Sequence, residues 1–578
     1  MFRLPKINNL MIFTGAYLII VGSLFFTATS AYQYCIQRPD FVKWSSPDET
    51  ANYYISKLYA EHRRLTTDNQ LDWPAAEIVH PRSFKAPYGI MMPMSFLGLP
   101  LLYGFLARII SVGILPYLTP FFGVLGLWLF FGLTRRLFNS STAIVATTLA
   151  AAFPVYLYYS SRSMFHNILF IVAGLGGLYC GLRALETMRQ ARRRLCRRWP
   201  ALIWLAGSGL CIGWSLATRT SELLWLAPVI LILVIVYFKE IGWYRWLWWG
   251  SWTWLAMLPA IFWNLSLNGH WYGGGYPAME QSVNTLSQTG LSLLNWHNLF
   301  NGSVLLTKLK LLKATIFHFG FWPQQSWIVF RHYVVDMFPW LLPLAAIGIV
   351  FFIFSRRQWS KEKWLYLLNW LAISVFLVIY YGSWKFNDNP DPNSFTIGNS
   401  YTRYWLPIYL GALPWAADGL RRLIRFLFRR QIARTVIVLS VLVICFYSIK
   451  FTAVGSEEGL IYSGYRQIAD YRLWSEIISK TESNSIIITR YHDKLFFPER
   501  QVVVGLFDNE VINQYYAQLM ATRPVYYFNF RFPPEALEYL NSRQLFKYGY
   551  ILQELGQYDE FALYQLVGIN QSVNQLEK

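Results

Sequence analysis

Long apolar segments alternate with short polar loops through most of the chain. A helical apolar stretch of about 20 residues matches the thickness of the hydrocarbon layer of a bilayer. The pattern therefore predicts a polytopic α-helical membrane protein with about eleven transmembrane helices. The predicted spans are residues 10–31, 114–134, 141–159, 165–182, 201–218, 222–238, 246–264, 335–354, 364–381, 404–418 and 435–452.

Basic residues cluster in those loops that would lie on one side of the membrane. Arg135 and Arg136 follow the second span, seven arginines lie between Arg183 and Arg198, and six lie between Arg421 and Arg434. Short loops rich in Lys and Arg mark the cytoplasmic side. Arg3 and Lys6 precede the first span, so we expect a cytoplasmic N-terminus in a multi-pass protein of the cytoplasmic membrane.

Residues 89–112 are apolar but contain Pro93, Pro100 and Arg108. The first loop, residues 33–88, would lie outside and Arg135 inside, which requires an odd number of crossings between them. The single span 114–134 satisfies this requirement. We therefore expect 89–112 to be a juxtamembrane segment that does not cross the bilayer.

The pattern changes near residue 455. Short runs typical of strands, such as residues 485–490, 501–506 and 524–530, alternate with helical patterns at 509–522 and 533–546. This alternation predicts a small C-terminal α/β domain, residues 455–578, on the extracytoplasmic side. Residues 1–454 would form the transmembrane catalytic domain.

The composition also indicates a membrane protein, and the distribution of charge argues against one class of partner. The 578 residues are 55% hydrophobic and 14% charged, which is too apolar for a soluble multidomain enzyme. The net charge of +20 lies in the loop clusters, so we do not expect a nucleic-acid partner. The five cysteines show neither a CxxC pair nor the spacing of a zinc site.

The sequence WSSPDETANYY, residues 44–54, opens a helix in the first loop. Ser46 suits the N-cap position, Pro47 the first helical position, and Glu49 the acidic position of a capping box. Adjacent acids at such a place serve either as a helix cap or as the base of an active site. The two readings are compatible if Glu49 is the cap and Asp48 faces a substrate.

Three arginines lie in other loops on the extracytoplasmic side. They are Arg162 in SSRSMFHN, Arg219 beside Glu222 in TRTSE, and Arg403 in SYTRYW. Each side chain could extend to lipid headgroups. Three guanidinium groups on the same side as an acid pair also suit a shared anionic ligand such as a lipid phosphate, which arginine binds in a bidentate manner.

These segments resemble the GT-C superfamily of integral-membrane glycosyltransferases, which includes protein O-mannosyltransferases and the aminoarabinose and Rgt-type transferases. PDE at 47–49 resembles the catalytic Asp-Glu pair of that family, and HPRSFKAPYG resembles its stretch before a juxtamembrane helix. SRSMFHN and GWSLATRTSELLWLAP resemble two further motifs. The resemblance covers about residues 10–455.

The resemblance implies inverting transfer of a hexosyl or pentosyl group from a polyprenyl-phosphate donor to an acceptor hydroxyl. Asp48 would be the base and Glu49 its support. Binding of the lipid phosphate would fall to Arg162, Arg219, Arg403, Lys85 and Asn167. Further partners would be membrane lipids and an acceptor that is a glycan, a lipid or a protein.

A divalent metal ion, Mg or Mn, is a further implication of the resemblance, with His166 as the candidate ligand. The acid that the family has at one position is Asn167 here. An amide ligates divalent cations less well than a carboxylate, which weakens the case for a metal-assisted mechanism.

Alternatives from other classes stay open at this point. One is a transporter or flippase of a lipid-linked glycan, although the sequence has no internal repeat. Another is a non-catalytic relative that binds a partner. Loop aromatic residues would serve as sugar platforms or as an interfacial aromatic belt; they are Trp271, Tyr272, Trp296, Trp322 and Trp384.

Overall fold

The computed structural model describes residues 9–194, 199–271, 320–386, 388, 391, 394–455 and 458–569. Several positions named above lie outside the described residues, namely Arg3, Lys6, Arg197, Arg198, Tyr272 and Trp296.

The described residues form mainly α-helices. In chain order these are α1 (Asn9–Ile36), α2 (Pro47–His62), α3 (Gly98–Ile109), α4 (Leu115–Leu137), α5 (Ser140–Ala152), α6 (Pro154–Arg162), α7 (His166–Arg194), α8 (Trp199–Thr218), α9 (Leu223–Ile241), α10 (Trp243–Asn268), α11 (Pro323–Phe330), α12 (Leu341–Phe354), α13 (Lys361–Gly382), α14 (Ser400–Tyr404), α15 (Leu406–Leu427), α16 (Arg430–Val454), α17 (Leu460–Lys480), α18 (Asp493–Phe496), α19 (Glu510–Met520) and α20 (Pro534–Tyr539).

The strands form two sheets. They are β1 (Thr67–Asp68), β2 (Phe84–Lys85), β3 (Ile90–Pro93), β4 (Ile486–Thr489), β5 (Gln501–Val504), β6 (Val525–Phe530), β7 (Tyr550–Tyr558) and β8 (Phe561–Gly568). The first three form a small antiparallel sheet in the order β1-β3-β2. The others form a sheet in the order β5-β4-β6-β8-β7, with β4 parallel to β5 and β6.

The chain divides into two compact units. The helical unit comprises Met1–Gln33, Phe96–Leu99 and Pro116–Tyr462. The mixed unit comprises Tyr34–Ser95, Pro100–Leu115 and Ser463–Lys578. The sequence analysis instead placed a single boundary at residue 454 and assigned the first loop, 33–88, and the segment 89–112 to the transmembrane domain.

The helical unit contains the membrane-spanning pattern. Among the described residues, seven helices are long and apolar enough to cross a membrane, and two bent pairs, α5–α6 and α11–α12, raise the number to nine. The two remaining predicted spans correspond to α10 and α15, which are helical but less apolar because of their tryptophans and charges. Helix α3 has 12 residues, about 18 Å, and is too short to cross a bilayer, in agreement with the non-spanning prediction.

The mixed unit has a core built from distant parts of the chain. Ala75 and Val79 of the first loop are buried with Ile488, Val503 and other residues of the C-terminal sheet. Val79 also pairs with Val503 as an isolated β-bridge. The first loop therefore folds with the C-terminal segment because each covers apolar surface of the other.

Close helix packing in the helical unit depends on glycines at one crossing. A Cβ built on Gly348 of α12 would lie 2.1 Å from the carbonyl oxygen of Trp415 in α15. A Cβ on Gly419 of α15 would likewise lie 2.1 Å from the carbonyl oxygen of Leu344. Small residues let helix backbones approach closely in this way, which contributes packing that lipid cannot replace.

We expect Gly348→Ala to lower the thermal stability of the detergent-solubilised protein, because overpacking costs about 1–3 kcal/mol. Gly250→Ala is the matched control, since a Cβ there meets nothing within 4 Å and alanine is the better helix former. Equal unfolding temperatures for the two variants would contradict the close crossing.

Candidate active site

The start of α2 is closed by a buried carboxylate. Glu49 is fully buried, and its Oε2 accepts the backbone N–H of Ser46 at 3.0 Å. Pro47 occupies the first helical turn, where its missing N–H costs nothing. The prediction that Glu49 caps the helix is confirmed.

Asp48 lies beside this cap and is half-buried. Its Oδ1 accepts a hydrogen bond from the hydroxyl of Ser83 at 2.6 Å. Asp48 is predicted to face a substrate if Glu49 is the cap, and the structure adds a protein partner from the HPRSFKAPYG stretch. This bond restricts rotation of the carboxylate.

Ser83 reaches Asp48 from a tight turn. Its φ is +67°, a left-handed conformation that non-glycine residues rarely adopt. The chain then enters β2, where Lys85 pairs with Met92 of β3. Lys85 is half-buried, and its ammonium makes no ion pair within the described part of the chain. The structure thus places Lys85 two residues from the serine that contacts Asp48.

Two consecutive residues of the C-terminal segment bond to the chain close to Ser83 and close to Asp48. Asp493 is fully buried and accepts the backbone N–H of Arg82 at 2.8 Å and its guanidinium Nε at 3.0 Å. Lys494 donates through its Nζ to the carbonyl oxygen of Ser45. Residues 493–494 therefore fix the chain immediately before Ser83 and shortly before Asp48.

The helical unit brings the three predicted arginines together on aromatic rings. The guanidinium carbons of Arg162 and Arg403 lie 5.5 and 4.6 Å from the ring centroid of Phe165. Those of Arg403 and Arg219 lie 5.2 and 4.6 Å from the centroid of Tyr404. Guanidinium groups are attracted to aromatic faces at such distances, so two rings organise three cations.

Arg219 has a carboxylate partner in this cluster. Its Nη2 lies 2.8 Å from Oε1 of Glu222, and both side chains are almost fully buried. The hydroxyl of Tyr381 donates to the same carboxylate oxygen at 2.6 Å. A buried ion pair needs such extra hydrogen bonds to offset desolvation. Arg162 contacts the Tyr158 hydroxyl at 2.8 Å, and Arg403 contacts that of Ser400 at 2.8 Å.

His166 and Asn167 lie against the same cluster through backbone groups. The Nε2 of His166 is 2.9 Å from the carbonyl oxygen of Phe96, and a carbonyl can only accept, so this nitrogen carries the proton. Asn167 donates through Nδ2 to the carbonyl oxygen of Arg403 at 3.1 Å. Asn167 thus joins the arginine cluster as a positioning group.

This donor set fits a divalent metal ion poorly. The Nε2 of His166 is bonded to the carbonyl of Phe96, so only its Nδ1 could ligate a metal, and Asn167 has an amide where the family has a carboxylate. Among the described residues no group of three His, Cys, Asp or Glu side chains converges as metal ligands would. His166 and Asn167 are therefore a poor pair of ligands for the predicted divalent metal ion.

Several residues of these two regions escaped the sequence analysis. Ser83, Asp493 and Lys494 lie far from Asp48 in the chain, and nothing in their local sequence indicates that contact. Phe165 and Tyr404 are next to predicted site residues, so their proximity to those residues could be seen in the sequence. The sequence did not show that each ring contacts two arginines, because those contacts depend on which loops meet in the fold.

Comparison with known proteins connects this fold to membrane enzymes. No family model and no curated protein matches the chain. Solved structures do match. The archaeal oligosaccharyltransferase AglB of Archaeoglobus fulgidus, in complex with an inhibitory peptide and a dolichol-phosphate, matches 91% of this chain and 69% of its own, with a TM-score of 0.54 and 13% identity.

ArnT of Cupriavidus metallidurans bound to undecaprenyl phosphate matches 96% of this chain and 98% of its own, with a TM-score of 0.54 and 10% identity. Both proteins are GT-C membrane glycosyltransferases. The chain has the GT-C fold. A third structure, of the Archaeoglobus enzyme with Zn and sulfate, matches with a TM-score of 0.50 and 13% identity. The GT-C resemblance predicted from the motifs is therefore confirmed at the level of the fold.

In the mixed unit, burial of Lys494 predicts a pH-dependent stability. Burial, followed by repulsion from Arg82, lowers the pKa of Lys494 from 10.5 to about 8. Between these values the unfolded chain binds more protons than the folded one, so stability should rise with pH. The rise from pH 8 to 10.5 amounts to at most about 3 kcal/mol.

Thermal unfolding of the detergent-solubilised protein between pH 7.5 and 9.5 measures this rise. Lys494→Met should flatten it, whereas Lys547→Met, at an exposed site in the same unit, should leave it unchanged. The same pH slope in the wild type and in Lys494→Met would show that Lys494 is not the titrating group.

Proposed function

We propose that this chain is a membrane glycosyltransferase that moves a sugar from a polyprenyl-phosphate donor to an acceptor hydroxyl at the extracytoplasmic face. The observation that carries the proposal is Asp48, held at the capped start of α2 by Ser83. The lipids bound to the similar structures support the donor class, since AglB was solved with dolichol-phosphate and ArnT with undecaprenyl phosphate.

Asp48 is the proposed general base. Asp48 lies in the first turn of α2, where its side chain is half-buried and hydrogen-bonded to Ser83. The Ser83 bond orients the carboxylate before the substrate arrives, and such preorganisation lowers the barrier. Glu49 is committed to the cap, so its proposed role is to support Asp48.

The reaction is a single displacement. The acceptor oxygen forms a bond to the anomeric carbon as its proton passes to Asp48. The bond between that carbon and the phosphate oxygen breaks, and its electron pair leaves with the polyprenyl phosphate. Attack opposite the leaving group inverts the anomeric configuration. The protonated Asp48 then returns its proton to solvent.

The arginine cluster is the proposed site of the lipid phosphate. Arg162, Arg219 and Arg403 are held on Phe165 and Tyr404, so their guanidinium groups are positioned before the ligand binds. Charge-assisted bonds from arginine to phosphate stabilise the charge that develops on the leaving group. Lys85 is proposed as a further cation for the donor.

The proposed orientation follows from the basic loops. With the arginine-rich loops and the N-terminus in the cytoplasm, the first loop and the C-terminal segment lie outside. The lipid-linked sugar would then be used on the extracytoplasmic side of the cytoplasmic membrane.

Asp48→Asn should lower the rate of sugar transfer by about 10²–10⁴-fold, because an amide cannot accept the proton. The assay follows labelled sugar from a panel of polyprenyl-phosphate hexoses and pentoses into the acceptors of native membranes. Asp68→Asn, at an exposed acid of the same loop, is the control and should transfer normally. Full transfer by a folded Asp48→Asn protein would overturn the assignment, and lipid-linked sugar that crosses the membrane without covalent transfer would favour a flippase.

Arg162→Gln should weaken binding of undecaprenyl phosphate about ten- to a hundredfold, the loss expected for charge-assisted hydrogen bonds. Microscale thermophoresis in detergent measures this affinity. Arg357→Gln removes an exposed guanidinium from a predicted cytoplasmic loop and should bind the lipid as the wild type does. Equal affinity in all three proteins, at unchanged thermal stability, would exclude the cluster as the phosphate site.

A further inference from the structure

The mixed unit contains a cavity that the proposed chemistry does not use. Its volume is about 330 Å³, within the range of small-molecule sites. One wall is the face of α2 that carries Tyr53, Tyr54, Lys57 and Glu61, at the spacing of successive helical turns. The segment Phe497–Glu499 also lines the cavity, and the ring of Phe497 lies 4.7 Å from that of Tyr54, centroid to centroid. We name it the α2 cavity.

The lining of the α2 cavity includes an ion pair between a buried lysine and a partly exposed glutamate. The ammonium of Lys43 is 2.5 Å from Oε2 of Glu499, and the side chain of Lys43 is only 3% exposed. Lys43 also donates to the carbonyl oxygen of Phe497. Burying a lysine is costly, and burial lowers the pKa of Lys43. Apolar side chains would fill this place at a lower cost, so the retained charges suit a polar ligand.

Further residues that line the α2 cavity carry basic and acidic side chains. Lys57 is half-buried, and in the described part of the chain its ammonium has no ion-pair or hydrogen-bond partner. Glu61 and His62, whose side chains are 40% and 64% exposed, lie one turn further along α2. Asp40 contributes another carboxylate, which accepts the hydroxyl of Tyr471 at 3.2 Å.

This mixture selects against simple ions. Three carboxylates, from Asp40, Glu61 and Glu499, would repel a phosphate, and two lysines would repel a cation. A hydroxyl group both donates and accepts, so a ligand with many hydroxyls can bond to ammonium and carboxylate groups at once. The rings of Tyr53, Tyr54 and Phe497 supply the apolar surface that the carbon face of a sugar needs.

We propose that the α2 cavity binds a saccharide unit, as a subsite for a glycan acceptor. The assignment of this saccharide as the acceptor rests on the proposed function. The prediction that the cavity binds a saccharide does not. Lys57 lies nine residues after Asp48 on one helix, which corresponds to about 13 Å along its axis. A bound glycan would therefore contact the same helix whose first turn carries the proposed base.

Saturation-transfer NMR on the full-length protein in lipid nanodiscs tests this site. The probes are maltotriose, mannotriose and chitotriose, with the tripeptide Ala-Ser-Ala as a non-carbohydrate probe. At least one trisaccharide should show saturation transfer. The double variant Lys57→Ala/Glu61→Ala keeps the net charge and should bind that sugar about tenfold or more weakly, as expected when two hydrogen bonds are lost.

Two controls separate this inference from the proposed reaction. Arg64→Ala, at an exposed residue just beyond α2, should bind the sugar as the wild type does. Asp48→Asn should also bind it normally, even though transfer is lost. If the wild-type protein binds the sugar but transfers none to any acceptor, the proposed reaction is wrong and the saccharide subsite still stands.

Three results would overturn the subsite. They are the absence of saturation transfer to every trisaccharide, a signal that the double variant retains in full, and binding of the tripeptide in place of the sugars. Thermal unfolding of each variant establishes that a lost signal does not come from misfolding.

Discussion

The hydrogen bond from Ser46 to the buried carboxylate of Glu49 defines where α2 begins. Because the helix starts there, Asp48 falls in its first turn, next to the positive end of the helix dipole. The direction of α2 also decides which side chains form the wall of the α2 cavity. The candidate base and the saccharide subsite both depend on this cap.

Around the cap, the C-terminal segment contributes to the candidate site. Asp493 and Lys494 bond to Arg82 and Ser45, which flank the two residues of the Asp48–Ser83 contact. The resemblance to GT-C enzymes covers about residues 10–455 and does not include this segment. Its buried charged side chains bond to the first loop. A substitution in this segment can therefore change the position of Asp48, because Asp48 is close in the chain to Ser45.

In the helical unit, arginine side chains lie near apolar helices and must be stabilised there. Guanidinium groups near apolar helices are costly unless they are paired or used. Arg219 is balanced by Glu222 with help from Tyr381, and Phe165 and Tyr404 lie under the arginines. The result is a positively charged cluster whose guanidinium groups are held by contacts within the protein. Such order suits recognition of a phosphate, because little side-chain freedom is lost on binding.

The sequence by itself determined the features that are local in the chain. Apolar run lengths predicted the helices, SPDE predicted the cap, and strand and helix patterns predicted the C-terminal α/β segment. These succeed because bilayer thickness, helix capping and side-chain periodicity act over a few residues to one span.

Only the tertiary structure decided that Ser83 bonds to Asp48 and that two rings organise three arginines. It also decided that the first loop shares a core with the C-terminal sheet. The contacts Ser83–Asp48, Arg403–Phe165 and Arg219–Tyr404 join residues that are tens to hundreds of positions apart. Their pairing is set by the packing of whole elements, which no local pattern encodes.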